Sequence, residues 1–471
     1  MIYTSKLTIK EASKLLAQKK IKAKELTQAF LDRVKKLNKK LNAFITVCED
    51  EALTQAEKID NIITSNQKIN NLAGIPFGAK DLFSTRDIKT TAGSKVLEDY
   101  LPVYDATSIS KLKEAGAIVV GKTNLDAWGH GSSGENSDFG ATKNPYDQTR
   151  VPGGSSSGSA AAVAAGMALF ATGTDTGGSI RLPSAFCNLV GLKPTYGRVS
   201  RYGVIAMASS LDSIGHLTKT VYDSALILNT TAGFDPFDQT TSKVKADDYT
   251  KGIEKGVKNL KIGLPREYYK DLEPKIKDLT LNAIKTLEKL GAKVIEITLP
   301  HTEYGVAAYY IIQPSEVSSN LARYDGIRFG NSRDSFGAEA KRRIILGTYT
   351  LSSGYYDAYY LKAMKVRRLI KEDFDKAFKN VDVLICPTSP SLPFKLGEKI
   401  SDPLQMYLSD ILTVTQNLAG VPSLNVPCGF VNNLPAGMQI VGPHFSEKLL
   451  YQAGYAYEQE TKWYERKPRL A

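Results

Sequence analysis

Apolar positions recur along this chain in two alternating periods, one helical and one of compact strands, and that alternation predicts its elements. Thr8, Ile9, Lys10 and Glu11 form a capping box that opens a short helix, since threonine hydroxyl and glutamate carboxylate each satisfy a backbone N–H. Leu26, Phe30, Val34 and Leu37 then fall at helical spacing, giving a second helix with a basic outer face. Polar helical sequence continues to about Asn71, and residues 75–80 read as a strand or strand edge ending in a charge. Residues 107–115 read as a helix and 117–120 as a buried strand. Residues 159–170 are small, apolar and alanine-rich, which predicts a tightly packed helix leading into a glycine-rich turn at 173–179. Past Asp238 the pattern gives strands at 260–264, 292–297, 381–386, 423–427 and 438–441, with helices at 274–290 and 355–379. Strands and helices that keep alternating imply an α/β fold with a largely parallel or mixed sheet.

The 471 residues carry 42% hydrophobic and 23% charged side chains, enough for a sizeable core. No stretch approaches the roughly 20 apolar residues needed to cross a bilayer, and the first residues lack the apolar centre of a secretory signal. A cytoplasmic protein without membrane association is therefore expected. No repeat or low-complexity linker divides the sequence, so one large domain is expected, with peripheral N-terminal helices over 1–70 and an inserted helical region near 300–380. Cys48, Cys187, Cys386 and Cys428 are scattered in apolar surroundings and read as buried free thiols. His130, His216, His301 and His444 also lack ligand spacing, so no metal is expected. The net charge of +12 is concentrated early, where twelve basic residues between Lys6 and Lys40 face only Glu11, Glu25 and Asp32. This excess reads as a solvated helix face, or as a surface for an acidic partner or nucleic acid.

Two stretches suggest chemistry. Gly116 to Thr123 matches the phosphate-loop pattern GxxxxGK[ST], but its inner residues Ala117, Ile118, Val119 and Val120 form a β-branched apolar run, so the match is itself a strand. Lys122 then needs only a surface or loop-packing role. The second signal pairs Pro152-Gly-Gly-Ser-Ser-Ser-Gly-Ser159 with Gly173-Thr-Asp-Thr-Gly-Gly-Ser-Ile-Arg181. Such glycine density lets backbone N–H groups converge on one point, as acyl transfer requires for an oxyanion. No GxSxG elbow and no histidine partner is evident, so a serine nucleophile here needs another base, which a buried neutral lysine can be.

The run from Gly153 to Ser156 with Gly173 to Pro183, together with Gly74-Ile-Pro-Phe-Gly-Ala-Lys-Asp81, resembles the amidase signature family over essentially the whole chain. The resemblance implies the amidase signature fold, a large mixed sheet covered by helices on both faces. It also implies a signature core over about 71–235 and a C-terminal substrate-pocket part over about 236–471. Ser179 is the implied nucleophile, Ser155 the bridge and Lys80 the base, with an oxyanion hole from the N–H groups of Thr176, Gly177, Gly178 and Ser179. Within the family, the segments 131–137, 341–344, 352–360, 410–413 and 417–422 are similar to those of glutamine-hydrolysing A subunits of tRNA-dependent amidotransferases. That similarity implies glutamine as substrate, its carboxylate held by Arg343 and its ammonium by Asp410. Ser132 and Ser133 help close the pocket, and Tyr309 or Tyr310 lines it. It further implies no cofactor in this chain, partner B and C subunits, and ATP and Mg in the partner that handles the charged tRNA, Glu-tRNA(Gln) or Asp-tRNA(Asn). Two residues depart from the family pattern: Ser157 stands where glycine is common, and His130, expected to pack near the pocket, stands where an apolar residue is usual. Two other functions compete: a stand-alone amidase on small, aryl or fatty amides, and a non-catalytic tRNA-binding scaffold built on the basic N-terminal helices.

Overall fold

The computed structural model of the chain describes residues 2–65, 67, 69–270, 272–324 and 330–470. Among the described residues eleven strands form one mixed sheet: β1 (Phe44–Val47), β2 (Pro76–Lys80), β3 (Ile118–Thr123), β4 (Phe170–Asp175), β5 (Val190–Lys193), β6 (Ser213–Thr218), β7 (Lys261–Pro265), β8 (Lys293–Ile297), β9 (Val383–Pro387), β10 (Ser423–Val431) and β11 (Leu434–Val441). Their spatial order is β1-β3-β2-β4-β6-β5-β10-β11-β9-β7-β8. Parallel pairing links β3, β2 and β4 on one side and β9, β7 and β8 on the other. Antiparallel strands join the two parallel groups through the centre. Helices flank this sheet, as the α/β reading requires.

The capping box at Thr8 opens helix Ile9–Ala17 as expected, with both reciprocal bonds present. Helix Ala23–Leu41 buries Leu26, Phe30, Val34 and Leu37 and leaves its lysines outward, where Lys35 pairs with Glu49 at 2.6 Å. The polar helical stretch is shorter than the sequence suggests. Asn42, in a left-handed conformation that asparagine tolerates, ends the second helix; β1 follows, and helix Glu49–Thr64 stops seven residues before Asn71. Asn66 and Lys68 of that stretch lie outside the described residues.

Around the site the chain departs from its predicted boundaries for packing reasons. The alanine-rich helix runs Ser157–Ala164, not to 170, and every residue in it is buried. A Cβ on Gly158 would lie 2.3 Å from the Ala43 carbonyl oxygen and 2.4 Å from the Asn124 nitrogen, which explains the small side chains. Gly166, at φ +72°, turns the chain so that β4 begins at Phe170 and stacks its ring on Phe77 of β2 at 4.8 Å. Gly173 to Asp175, predicted as turn, thus complete β4. Likewise the helix predicted at 355–379 is a π-helical turn, Asp357–Leu361, followed by helix Lys362–Ala377. The phosphate-loop match is β3, as its apolar run indicates. Lys122, however, is fully buried rather than superficial, 3.0 Å from Asp81. All four cysteines are buried and free.

Candidate active site

Lys80 closes β2, beside the parallel strand β4. Alternate residues of a strand face the same side, so Thr172 and Thr174 of β4 both meet this lysine. Its backbone N–H donates to Thr172 Oγ1 at 2.9 Å, and Nζ lies 2.8 Å from Thr174 Oγ1. Ser155 Oγ at 2.8 Å and Ser156 Oγ at 3.0 Å complete the surroundings of Nζ. The partners are therefore three hydroxyls, and no described carboxylate comes within ion-pairing distance, unlike at Lys122. Burial pushes the Lys80 pKa down to about 7, against the opposing pull of Asp126, Asp175 and Asp212. A neutral amine has two N–H donors and one lone pair, and three hydroxyl neighbours match that inventory.

Ser155 sits in the loop that enters helix Ser157–Ala164, fixed from below by Asp126. The Asp126 N–H donates to the Ser155 carbonyl at 3.3 Å. The Asp126 carboxylate accepts from the Gly134 and Asn136 N–H groups. A Cβ on Gly154 would fall 2.0 Å from Asp126 Oδ2, so only glycine fits there. The Ser156 N–H donates to the Ser179 carbonyl at 3.2 Å, which joins the two glycine-rich loops. Ser179 is 9% exposed while Lys80 is 0% and Ser155 1%, so accessibility increases outward along the three residues. The Lys80–Ser155 contact is formed, whereas the Ser179 hydroxyl makes no hydrogen bond to a described residue. Apo sites commonly hold such contacts loosely until substrate arrives.

The loop carrying Ser179 is shaped by a buried ion pair. Arg181 donates through Nε and Nη2 to Asp175 at 3.0 and 2.9 Å, and through Nη2 to Asn417 Oδ1 at 2.6 Å. Asn417 Nδ2 returns to Asp175 at 3.0 Å. Burial alone would raise the Asp175 pKa, but Arg181 and Asn417 hold it at about 2. Thr413 Oγ1 donates to the Gly177 carbonyl at 2.6 Å, and Gly178 adopts φ +146°, where a Cβ would lie 2.4 Å from that same hydroxyl. The buried N–H groups of Thr176, Gly177, Gly178 and Ser179 have no acceptor among the described residues. Four successive unpaired donors in one loop suit a developing negative charge.

A cavity of about 210 Å³ lies beyond these loops; Lys80, Ser155 and Ser179 do not line it, and it meets the Ser155 loop through Ser132, whose carbonyl accepts from the Gly154 N–H at 2.9 Å. Arg343, Ser132, Ser133 and Tyr310 line it. Asp410 is reached through its partners: Ser132 Oγ donates to it at 2.8 Å and Tyr310 OH at 2.8 Å. Burial pushes the Asp410 pKa up to about 6, opposed by those two donors and by Arg343. Arg343 donates from Nε to Glu339 and from Nη1 to Gln313, both at 2.8 Å, and has Tyr310 and Tyr407 beside its guanidinium. Its Nη2 has no described partner. Tyr309, left equivalent to Tyr310 by sequence, occupies a different position. It packs on the Ser179 loop, where a Cβ on Gly177 would lie 2.6 Å from its ring, while Tyr310 reaches the cavity. Ser133 lines the cavity without touching Asp410, its hydroxyl accepting from the Glu135 N–H at 3.3 Å. Sequence reasoning assigned no role to Thr174, Ser156, Asp126 or Thr413. For Thr174 the signal was present, in hydroxyls at alternate positions 172 and 174 of a strand; the other three are recognisable only in three dimensions.

The family described as Amidase matches residues 25–451, and the chain belongs to it. Its relatives include A subunits of Glutamyl-tRNA(Gln) amidotransferase. That of Sulfurihydrogenibium sp. (strain YO3AOP1) is 53% identical over 99% of each chain. That of Coxiella burnetii (strain Dugway 5J108-111) is 52% identical over 98% of this chain and 99% of its own. Among solved structures, the counterpart from Thermotoga maritima, again of Glutamyl-tRNA(Gln) amidotransferase, superposes with a TM-score of 0.85 at 45% identity, covering 98% of this chain and 96% of its own. Peptide amidase from Stenotrophomonas maltophilia gives 0.85 at 31% identity, with 98% of each chain covered. Among the described residues no helix is long and apolar enough to cross a membrane.

Proposed function

We propose that this chain is the glutaminase of a tRNA-dependent amidotransferase. Amide chemistry is supported by family membership and by the hydroxyl-lined Lys80. The observation that carries the substrate assignment is Asp410 and Arg343 beside one cavity, joined through Tyr310, which touches both. A free amino acid needs an anion for its ammonium and a cation for its carboxylate, whereas an aryl or fatty amide needs neither.

In this reading, neutral Lys80 takes the Ser155 proton as Ser155 takes that of Ser179. Ser179 Oγ attacks the side-chain amide carbon of glutamine. The oxyanion forms against the N–H groups of residues 176–179. The relay returns the proton to the amide nitrogen, the C–N bond breaks, and ammonia leaves a γ-glutamyl ester on Ser179. Water, deprotonated through the same relay, then releases glutamate. Ammonia passes to the larger partner, which binds the charged tRNA and uses ATP and Mg to activate its glutamyl or aspartyl group, while a small third subunit holds the two together. A cytoplasmic location suits that role.

Glutamate release from glutamine by the chain purified with its partner subunits tests this reading, with Ser179→Ala beside it. Release that vanishes in the variant is expected. Turnover of aryl or fatty amides with none of glutamine would overturn the substrate assignment and leave the amidase chemistry.

A further inference from the structure

His130 lines the same cavity, is completely buried, and has no hydrogen-bond partner among the described residues at either Nδ1 or Nε2. A buried polar group left unpaired is destabilising, so two in one ring are a poor choice for a residue that only fills space. The ring is held where it is by a stiff turn. The His130 N–H donates to the Ala127 carbonyl at 2.9 Å, and its own carbonyl accepts from Asn136 Nδ2 at 2.8 Å. Trp128 and Gly129 both have positive φ, and a Cβ on Gly129 would lie 3.7 Å from Ser155 Oγ. The turn thus seats residue 130 between the serine loop and the cavity.

The charge that bears on the ring is Arg343; together with burial it keeps His130 neutral, with one N–H donor and one acceptor. A second unsatisfied donor adjoins Arg343 as well: Gln313 Nε2 is buried without an acceptor among the described residues, while Gln313 Oε1 takes the bond from Arg343 Nη1. Arg343 commits one N–H each of Nε and Nη1 to Glu339 and Gln313, which leaves Nη2 and the second Nη1 hydrogen for a ligand. The unmet donors beside this partly occupied guanidinium suit an anion, while Glu135 Oε2, unpaired among the described residues and lining the same cavity, suits a cation. We propose that a ring N–H of His130 binds the α-carboxylate of the amino-acid substrate alongside Arg343, making His130 a specificity-determining residue. The inference rests on the glutaminase reading above.

The test is steady-state glutamine hydrolysis by the complex with its partner subunits, comparing wild type, His130→Met and His130→Gln. Methionine fills the space without a donor; glutamine restores one. The expected result is a KM about tenfold higher in H130M, as for loss of a hydrogen bond to a charge, with a smaller effect on kcat, and a KM within about threefold of wild type in H130Q. An unchanged KM in H130M, or an equal rise in both variants, would overturn the assignment while the glutaminase reading stands. Wild type that does not hydrolyse glutamine would overturn both.

Discussion

Lys80 Nζ and Ser155 Oγ lie 2.8 Å apart in a pocket with no described carboxylate in ion-pairing range, so hydroxyls alone surround the amine. A lysine so placed is a base near neutral pH rather than a permanent cation, and this sets the pH behaviour. With its pKa at about 7, kcat for glutamine should rise through that region and level off above it. Thr174→Val removes an acceptor that favours the protonated form, so the acidic limb should move to lower pH as kcat drops. Stopped-time glutamate release across the range from mildly acidic to mildly alkaline reads both effects. A limb that stays in place in the variant would dissociate it from Lys80.

The same residue leaves a mark on stability. Burial lowers the Lys80 pKa, so between about 7 and 10.5 the unfolded chain binds more protons than the folded one. The burial penalty, on the order of 5 kcal/mol, is complete below about pH 7 and fades as pH rises to about 10.5. Wild type should therefore gain stability relative to Lys80→Met over that window. Urea unfolding at both ends of the window measures the gap, and a gap that widens in favour of the methionine variant as pH rises would contradict the sign.

Asp410 titrates for a different reason. With its pKa at about 6, acid removes the charge that the proposed reading pairs with the substrate ammonium, so KM for glutamine should climb below about pH 6. Asp410→Asn should raise KM at every pH and abolish that climb. A KM profile unchanged in the variant would place the ammonium elsewhere.

Much of this arrangement was legible in the sequence, and the reasons are local. Lys80 follows a short apolar run and ends a strand, and glycine clusters mark both serine loops, so the elements carrying these residues could be read directly. The capping box at Thr8 required only four residues. By contrast, β1, β4, β5 and β6 escaped detection: β4, β5 and β6 interrupt their apolar positions with glycine and polar residues, and β1 is four residues between two helices. The early end of helix Ser157–Ala164 depends on Gly166 packing against Ser5, a contact between distant segments. The separation of Tyr309 from Tyr310 was equally hidden, since neighbours on a helix point about 100° apart and only the fold decides which faces the cavity.

The Asp175–Arg181 pair is the loop's internal support. Arg181→Met would leave Asp175 buried without its counter-charge, costing about 3–5 kcal/mol, and should disorder the Ser179 loop. Thermal and denaturant unfolding report the loss; a variant as stable and active as wild type would show that the loop stands without the pair.

Ser179, not Ser155, should carry the acyl group. Rapid acid quench of the complex during glutamine turnover, followed by peptide mass mapping, locates the γ-glutamyl ester directly. The adduct is expected on Ser179 and absent in Ser179→Ala. An adduct on Ser155, or continued hydrolysis in Ser179→Ala, would contradict that.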